Sequence, residues 1–377
     1  MVVYSSLHLP LIFNASGDYG TPPAESPFFV QAYMENHYDG GGFFPKGGSS
    51  SIAKTLIAAI QRRGGKVFAS ASVEKILTTK RIFRNSYKAT GVIVKGIEIH
   101  ARKCVVSDAG FTKTFDVRGD NLPLVDLTSG AKQLALVHRK GELPPFTQSP
   151  SFFYLFIGLD GSDEKLGLLG QNIWHVVDWN HSSKLKELYA TSTIEEALNA
   201  PPPLIFLSNV SAKDPDFGFR HPGKSTITMI AWTDSRWFDV FQNTLHGGRG
   251  AKYESIKAKM TITMLEVLYH HFPLTKGKVS FTDMGTPLSA TKYLGRYMGE
   301  IYNLDHSLAR FKDVNAQLAL HPQTTVHNLF LTGQDVAAVS IEGATLSGCF
   351  TASRVSMFAF FIAIPVSIAC IPWALGF

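Results

Sequence analysis

What the chain has little of excludes several classes at once. Its three cysteines, Cys104, Cys349 and Cys370, are widely separated in 377 residues and form no C-x-x-C pair. A disulfide scaffold and a zinc ribbon are therefore out, and a reducing compartment is the default. Basic residues outnumber acidic ones 36 to 30, a net +6, with no run of five like charges. That scatter predicts no nucleic-acid partner. There is no H-E-x-x-H, no His/Cys cluster and no G-x-S-x-G elbow, so neither a metal nor a serine nucleophile is expected. No basic stretch followed by an apolar run opens the chain, so no signal peptide is read. A G-x-G-x-x-G phosphate turn is also missing: the glycines at 40–42 and 247–250 are wrongly spaced and follow no strand.

What remains describes a folded chain of two to three domains. Hydrophobic residues make up 45% and charged residues 18%, too apolar for disorder. The 27 Phe and 12 Tyr suit an apolar cavity or an aromatic core equally. The segment from Val355 to Phe377 carries no charge. It is long enough for one bilayer span, and a core helix followed by an apolar tail reads it equally well.

Residues 45–110 read as a helix, a strand, a hairpin and a strand. Ile52, Leu56, Ile57 and Ile60 share one helical face, stopped by Gly64-Gly65. A hairpin turns near Lys95-Gly96, and a buried strand ends at Ser107. From 150 to 300, strands at Phe152–Leu159, Leu204–Val210 and Thr226–Trp232 alternate with helices. Ser192-Thr-Ile-Glu195 reads as a capping box, and Tyr253–Phe272 as a long amphipathic helix closing on His270-His271.

GFRHPGKS, Gly218–Ser225, is a literal match to the P-loop pattern G-x-x-x-x-G-K-S/T. A phosphate-binding loop needs a helix behind it, whereas Thr226–Trp232 alternates like a strand and Pro222 removes an amide. The prediction is a loop between strands and no nucleotide site.

The chemistry-bearing segment is Asn328–Gly348. A strand, Leu329–Leu331, runs into Thr-Gly-Gln-Asp, and Gly343-Ala344 opens a helix. Gly333 allows close backbone approach, Asp335 can accept from sugar or ribityl hydroxyls, and a helix start at Gly343-Ala344 offers free amides. A tight turn plus an N-cap explains the same residues without a ligand.

These segments resemble the amine-oxidase/phytoene-desaturase class of FAD flavoproteins. There a strand ending in residues like Thr332-Gly333-Gln334-Asp335 and a downstream Gly-Ala helix close the flavin site. Pro45-Lys-Gly-Gly48, the helix behind it and Val73 resemble that class's second flavin segment, with the Val73 backbone meeting adenine. VVSDAG, Val105–Gly110, resembles its V-V-S-N-A-G, with Asp108 in place of Asn. Six further segments, GDYGTPP, ENHYDGGGFFPKGGSSSIA, SAKDP, RHPGKST, GTPLSATKYLG and NLFLTGQD, occur in the order found in the retinol saturase family.

That resemblance implies an α/β (mixed α+β) flavoprotein with an incomplete Rossmann-like domain and a mixed-sheet substrate domain. The expected division is 1–44 as a substrate-side segment, 45–115 as flavin domain, 116–300 as substrate domain and 301–377 as closing flavin segment with tail. It implies FAD held by Val73, Gly333, Gln334, Asp335, Gly343 and Ala344, with NAD or NADP as electron donor. It further implies a retinoid or other polyene substrate, saturated at its 13,14 double bond, and attachment to the endoplasmic reticulum membrane. Phe152, Phe153, Tyr154, Trp174, Trp232 and Phe241 would supply a polyene tunnel, or, taken one by one, ordinary core; Tyr293 and Tyr297 are ring-side candidates, and no catalytic acid is identified. The missing glycine turn implies that this is the C-terminal part of such an enzyme, with weak FAD binding alone. A carotenoid desaturase or isomerase, and a flavin-free membrane-associated remnant, are the alternatives.

Overall fold

The computed structural model of the protein describes residues 19–22, 25–39, 41–81, 86–115, 124–125, 146–178, 180–191, 193–242, 244 and 248–356. The apolar tail beyond 356 lies outside the described residues. In chain order the main elements are α1 (Phe28–Asp39), α2 (Ser50–Arg62), β1 (Val73–Arg81), β2 (Ser86–Val94), β3 (Ile97–His100), β4 (Val105–Ser107) and α3 (Phe111–Phe115). There follow β5 (Ser151–Asp160), β6 (Asn172–Val176), β7 (Leu204–Ser208), β8 (Lys224–Thr233), α4 (Ala251–His271), β9 (Val279–Gly285), α5 (Pro287–Leu294), α6 (Leu308–Lys312), β10 (Leu329–Leu331) and α7 (Ile341–Val355). The fold is the expected mixture of helix and sheet. It divides into a unit of residues 42–67 and 150–301 and a second of 18–41, 68–149 and 302–377.

The first unit is built on a five-stranded sheet in the order β6-β7-β8-β5-β9. Expected to be mixed, it is antiparallel at all four of its pairings. Alternation explains its core. Phe153, Leu155, Ile157 and Leu159 of β5 and Ile227, Met229 and Ala231 of β8 are buried at period two. They share a cluster with Tyr253, Ile256, Met260, Met264, Val267 and Leu268, whose three- and four-residue spacing makes one face of α4. Phe152 and Trp232, directly paired in register, belong to a separate cluster with Leu185 and Leu204. The capping signal near 192 is displaced by one residue: Thr193 is the N-cap, accepting from the Glu196 amide at 3.3 Å.

The P-loop look-alike is resolved here. Phe217–Arg220 forms one helical turn, a bend follows, and Lys224 is the first residue of β8. Its Nζ lies 2.5 Å from Asp160 Oδ1, on the strand position it pairs with.

The second unit contains the antiparallel sheet β1-β2-β3, turning between β2 and β3 at Lys95-Gly96 with φ +50° and +72°. β4 and β10 pair in parallel, Val105 with Leu329 through Ser107 with Leu331. That pairing brings two short strands far apart in sequence side by side, so the loops that leave them meet.

Candidate functional site

Where β10 ends, Gly333 has φ +91°, and a Cβ there would sit 1.8 Å from Asp108 Oδ1. The close approach that this glycine permits is therefore to Asp108, just past the end of β4. Asp335, 2% exposed, turns inward. Its Oδ2 accepts from the Phe111 amide at 2.7 Å and its Oδ1 from the Leu304 amide at 3.1 Å. Both Asp335 oxygens thus fasten the loops after β4 and before α6. Arg310, 1% exposed, donates to the carbonyls of Asp305 at 2.9 Å, Asp335 at 2.8 Å and Gln334 at 3.4 Å. Burial lowers its pKa, opposed by the attraction of Asp335 and Asp305. Burial likewise raises the Asp305 carboxyl.

The helix start is two residues earlier than expected. α7 begins at Ile341 with Ser340 as N-cap at φ +107°. Ser340 Oγ accepts from the Gly343 amide at 3.0 Å, and the Ala344 amide donates to the Ser340 carbonyl at 3.0 Å. Gly343 and Ala344 thus offer no free amides. The first-turn amides without an intrahelical partner are those of Ile341 and Glu342. Gly343 is needed for packing, since a Cβ would meet the Ala338 carbonyl oxygen at 2.1 Å. Gln334 Oε1 accepts from the Ser340 amide at 3.4 Å, and Val73 opens β1 partly exposed.

The α7 start borders a cavity of about 350 Å³ within this unit, at the small end of the roughly 300–1,000 Å³ typical of ligand pockets. Phe29, Val30, Tyr33 and Met34 of α1 line one part, and Phe311, Ala338, Val339, Leu346 and Phe350 another. Phe29 meets Phe311 edge-on, centroids 4.9 Å apart. His37 Nε2 and Glu342 Oε1, both well exposed, approach to 3.7 Å. His306 also lines the cavity, yet is otherwise fully enclosed. Its Nε2 accepts from the Val339 amide at 2.9 Å. Burial, helped by the charge of Arg310, holds its pKa well below the usual histidine value.

Sequence reasoning missed the aromatic face of α1 and the buried pair His306 and Arg310. The signal for the pair was a histidine and an arginine four residues apart in a stretch that must join two buried segments. The expected tunnel aromatics lie elsewhere: Phe153 and Phe241 belong to the core under α4, and Phe152, Tyr154, Trp174 and Trp232 to the smaller cluster. None of them lines the cavity, nor does Tyr293, which is 68% exposed, or Tyr297. Three of the quoted family segments do meet in the first unit. Gly47 of FFPKGG donates its amide to Asp214 Oδ1 of SAKDP at 3.1 Å, and Arg220 pairs with the other oxygen. The Gly47 amide foremost, with Arg220, holds the Asp214 carboxyl below its ordinary range.

Among the described residues no group of three His, Cys, Asp or Glu is arranged to hold a metal. No helix among them is long and apolar enough to cross a membrane.

Taken together, these features describe a largely apolar cavity between α1 and the start of α7. In sequence the chain is similar to proteins named all-trans-retinol 13,14-reductase along nine-tenths of its length. It is 34% identical to the Danio rerio enzyme of that name over 345 residues, 90% of this chain and 53% of that one. It is 35% identical to the Homo sapiens protein over 340 residues, 89% and 53% of the two chains. A Danio rerio protein named inactive all-trans-retinol 13,14-reductase is 28% identical over 340 residues, again 89% and 53%. The chain spans about half the length of the curated relatives it matches. No protein-family model matches it. Two solved structures align with it: an oxidoreductase from Methanosarcina mazei (18% identity, 88% of this chain and 61% of that one, TM-score 0.48) and cyclohexylamine oxidase from Brevibacterium oxydans (13%, 97% and 66%, TM-score 0.49).

Proposed function

We propose that this chain is the cavity-bearing part of a flavin-dependent oxidoreductase that saturates the 13,14 double bond of all-trans-retinol. The observation that carries the reading is the 34–35% identity to the reductases, sustained over nine-tenths of the chain. The cavity is consistent with it, having apolar walls for a polyene and few polar groups.

FAD fits the residues present in part. Ser340 and Glu342 at the α7 start line the cavity, and the first turn of that helix would give a suitable edge to the electron-rich side of a flavin ring. When bound, the reduced flavin would supply a hydride to one alkene carbon while a proton reaches the other. The chain's own part is to hold the ring edge at the α7 start, keep the Gly333–Asp335 turn fixed through Arg310, and exclude water with Phe29, Phe311 and Leu346. Val73, Gly333, Gln334, Asp335, Gly343 and Ala344 remain in the proposal as the frame of that site. Gly343 and Ala344 shape the helix start, and Asp335 acts through the fold. A nicotinamide electron donor and attachment to the endoplasmic reticulum membrane belong to the same proposal.

A second reading is an inactive member, favoured by the likeness to a relative named inactive. The test is to supply the purified chain with FAD, desalt it, and record the visible spectrum before assaying retinol with a chemical reductant. Retained flavin absorbance with formation of the 13,14-dihydro product supports the proposed activity in this chain. A yellow protein without product supports the inactive reading. A colourless one removes the flavin assignment for this chain.

A further inference from the structure

We propose that His306 uses its Nδ1–H to hold the oxygen end of an isoprenoid alcohol in the cavity beside α7. The inference rests on the retinoid reading above and goes beyond it by assigning the polar anchor.

The tautomer follows from one contact. The Val339 backbone N–H can only donate, so Nε2 of His306, 2.9 Å away, must accept. A neutral imidazole has a single proton, which then sits on Nδ1. Burial and the neighbouring Arg310 charge both disfavour a second proton. Nδ1 is therefore a donor, and it is buried without any protein acceptor. Buried donors are almost always satisfied, and an exception calls for a missing partner. His306 lies on the wall of the cavity, where Phe29, Val30, Met34, Phe311 and Leu346 provide an apolar lining. His37 and Glu342 approach each other where solvent reaches them, and of the hydroxyls on the cavity wall, Tyr19 donates to Gln31 and Ser340 accepts from the Gly343 amide. The ligand that satisfies both wall and donor is mainly hydrocarbon and ends in one accepting oxygen. A retinoid hydroxyl has that form. A flavin ring carbonyl presents the same acceptor, so the experiment separates the two.

The full chain is titrated with all-trans-retinol, with its deoxy counterpart lacking the hydroxyl, and with FAD, in the wild type, His306→Gln and His306→Asn. Gln keeps an acceptor for the Val339 amide and removes the Nδ1-like donor. Asn does the reverse. Retinol binding is expected to weaken about tenfold in His306→Gln, about the strength of one hydrogen bond, with the deoxy compound unaffected and His306→Asn close to wild type. Equal weakening for both retinoids makes His306 a structural brace and overturns the proposal while sparing the retinoid reading. Weakened FAD with unchanged retinol gives the donor to the flavin and also overturns it. Failure of the wild type to bind either retinoid defeats the retinoid reading itself. Should a variant not fold, nitrogen-labelled histidine NMR of the wild type decides: the His306 Nδ1–H signal is expected to move with retinol and stay put with the deoxy compound. An equal response to both refutes the anchor.

Discussion

Both units bury an apolar cluster, of twenty-four described residues in one and thirteen in the other, and the smaller is the one that leans on buried polar joints. In the unit of 42–67 and 150–301, one face of an antiparallel sheet and one face of a long helix bury a continuous apolar cluster. In the unit of 18–41, 68–149 and 302–377, a smaller apolar cluster around Phe111, Leu304 and Leu331 is supplemented, past the ends of the short strands β4 and β10, by buried polar joints: Asp335 to two amides, Arg310 to three carbonyls, His306 to Val339. The first arrangement is non-directional and tolerates repacking. The second is directional, so losing one partner strands the others. The cavity lies in the unit built the second way. A binding site gains from fixed geometry, and polar braces fix geometry more sharply than an apolar face does.

Substitutions can break this contrast. Arg310→Met should have the largest effect, destabilising its unit by about 3–5 kcal/mol because buried carbonyls and the Asp335 charge lose their partner. Phe153→Ala should cost about 3–4 kcal/mol in the other unit through the cavity it leaves. Hydrogen exchange resolved by segment should show each loss confined mainly to its own unit. Equal loss in both units would dissolve the contrast. Asp335→Ala comes next, at about 3 kcal/mol, from two buried amides left without an acceptor. If it instead removes bound flavin with stability unchanged, Asp335 contacts the ligand directly.

Acid sharpens the comparison. His306 in one unit and His175 and His271 in the other have folded pKa values below the ordinary 6.5, chiefly through burial. The folded state then binds fewer protons than the unfolded one, so this stability is whole above 6.5 and is lost as pH falls below it. The buried carboxyls Asp305 and Glu300 are raised and act in the opposite sense. Thermal melts on either side of pH 6.5 should show less acid sensitivity in His306→Gln than in the wild type, with the His175–His271 share remaining. Identical pH profiles would mean His306 is not held neutral. Lys224→Ala should have the smallest effect, within about 0.5 kcal/mol for an exposed pair, with nucleotide binding undetectable before and after.

Legibility in the sequence follows the same division. β5, β8 and α4 were readable because apolar period predicts elements whose purpose is to bury a face. The hairpin at Lys95-Gly96 was readable from turn chemistry. Gly333, Asp335 and Gly343 stand out in the sequence, and the structure gives each a local contact; a glycine against Asp108 and one against a flavin look alike in a string. Phe152, Phe153, Tyr154 and Trp232 of β5 and β8 read as tunnel or core alike, because composition supplies both with the same letters; they lie in the apolar clusters. His306 and Arg310 went unread because a buried polar contact leaves no periodicity, only a residue type out of place.

The pairing of β4 with β10 has a consequence for synthesis. Phe111 and the carboxylate that receives its amide are 224 residues apart. At about 5–20 residues per second, a ribosome needs on the order of ten to forty-five seconds to make that stretch. For that time the nascent β4 edge and the amides behind it have no native partner, while the whole of the five-stranded sheet is being translated and can close. The cavity-bearing unit is thus the last to be completed at birth, and it is where a chaperone would have the longest opportunity to bind.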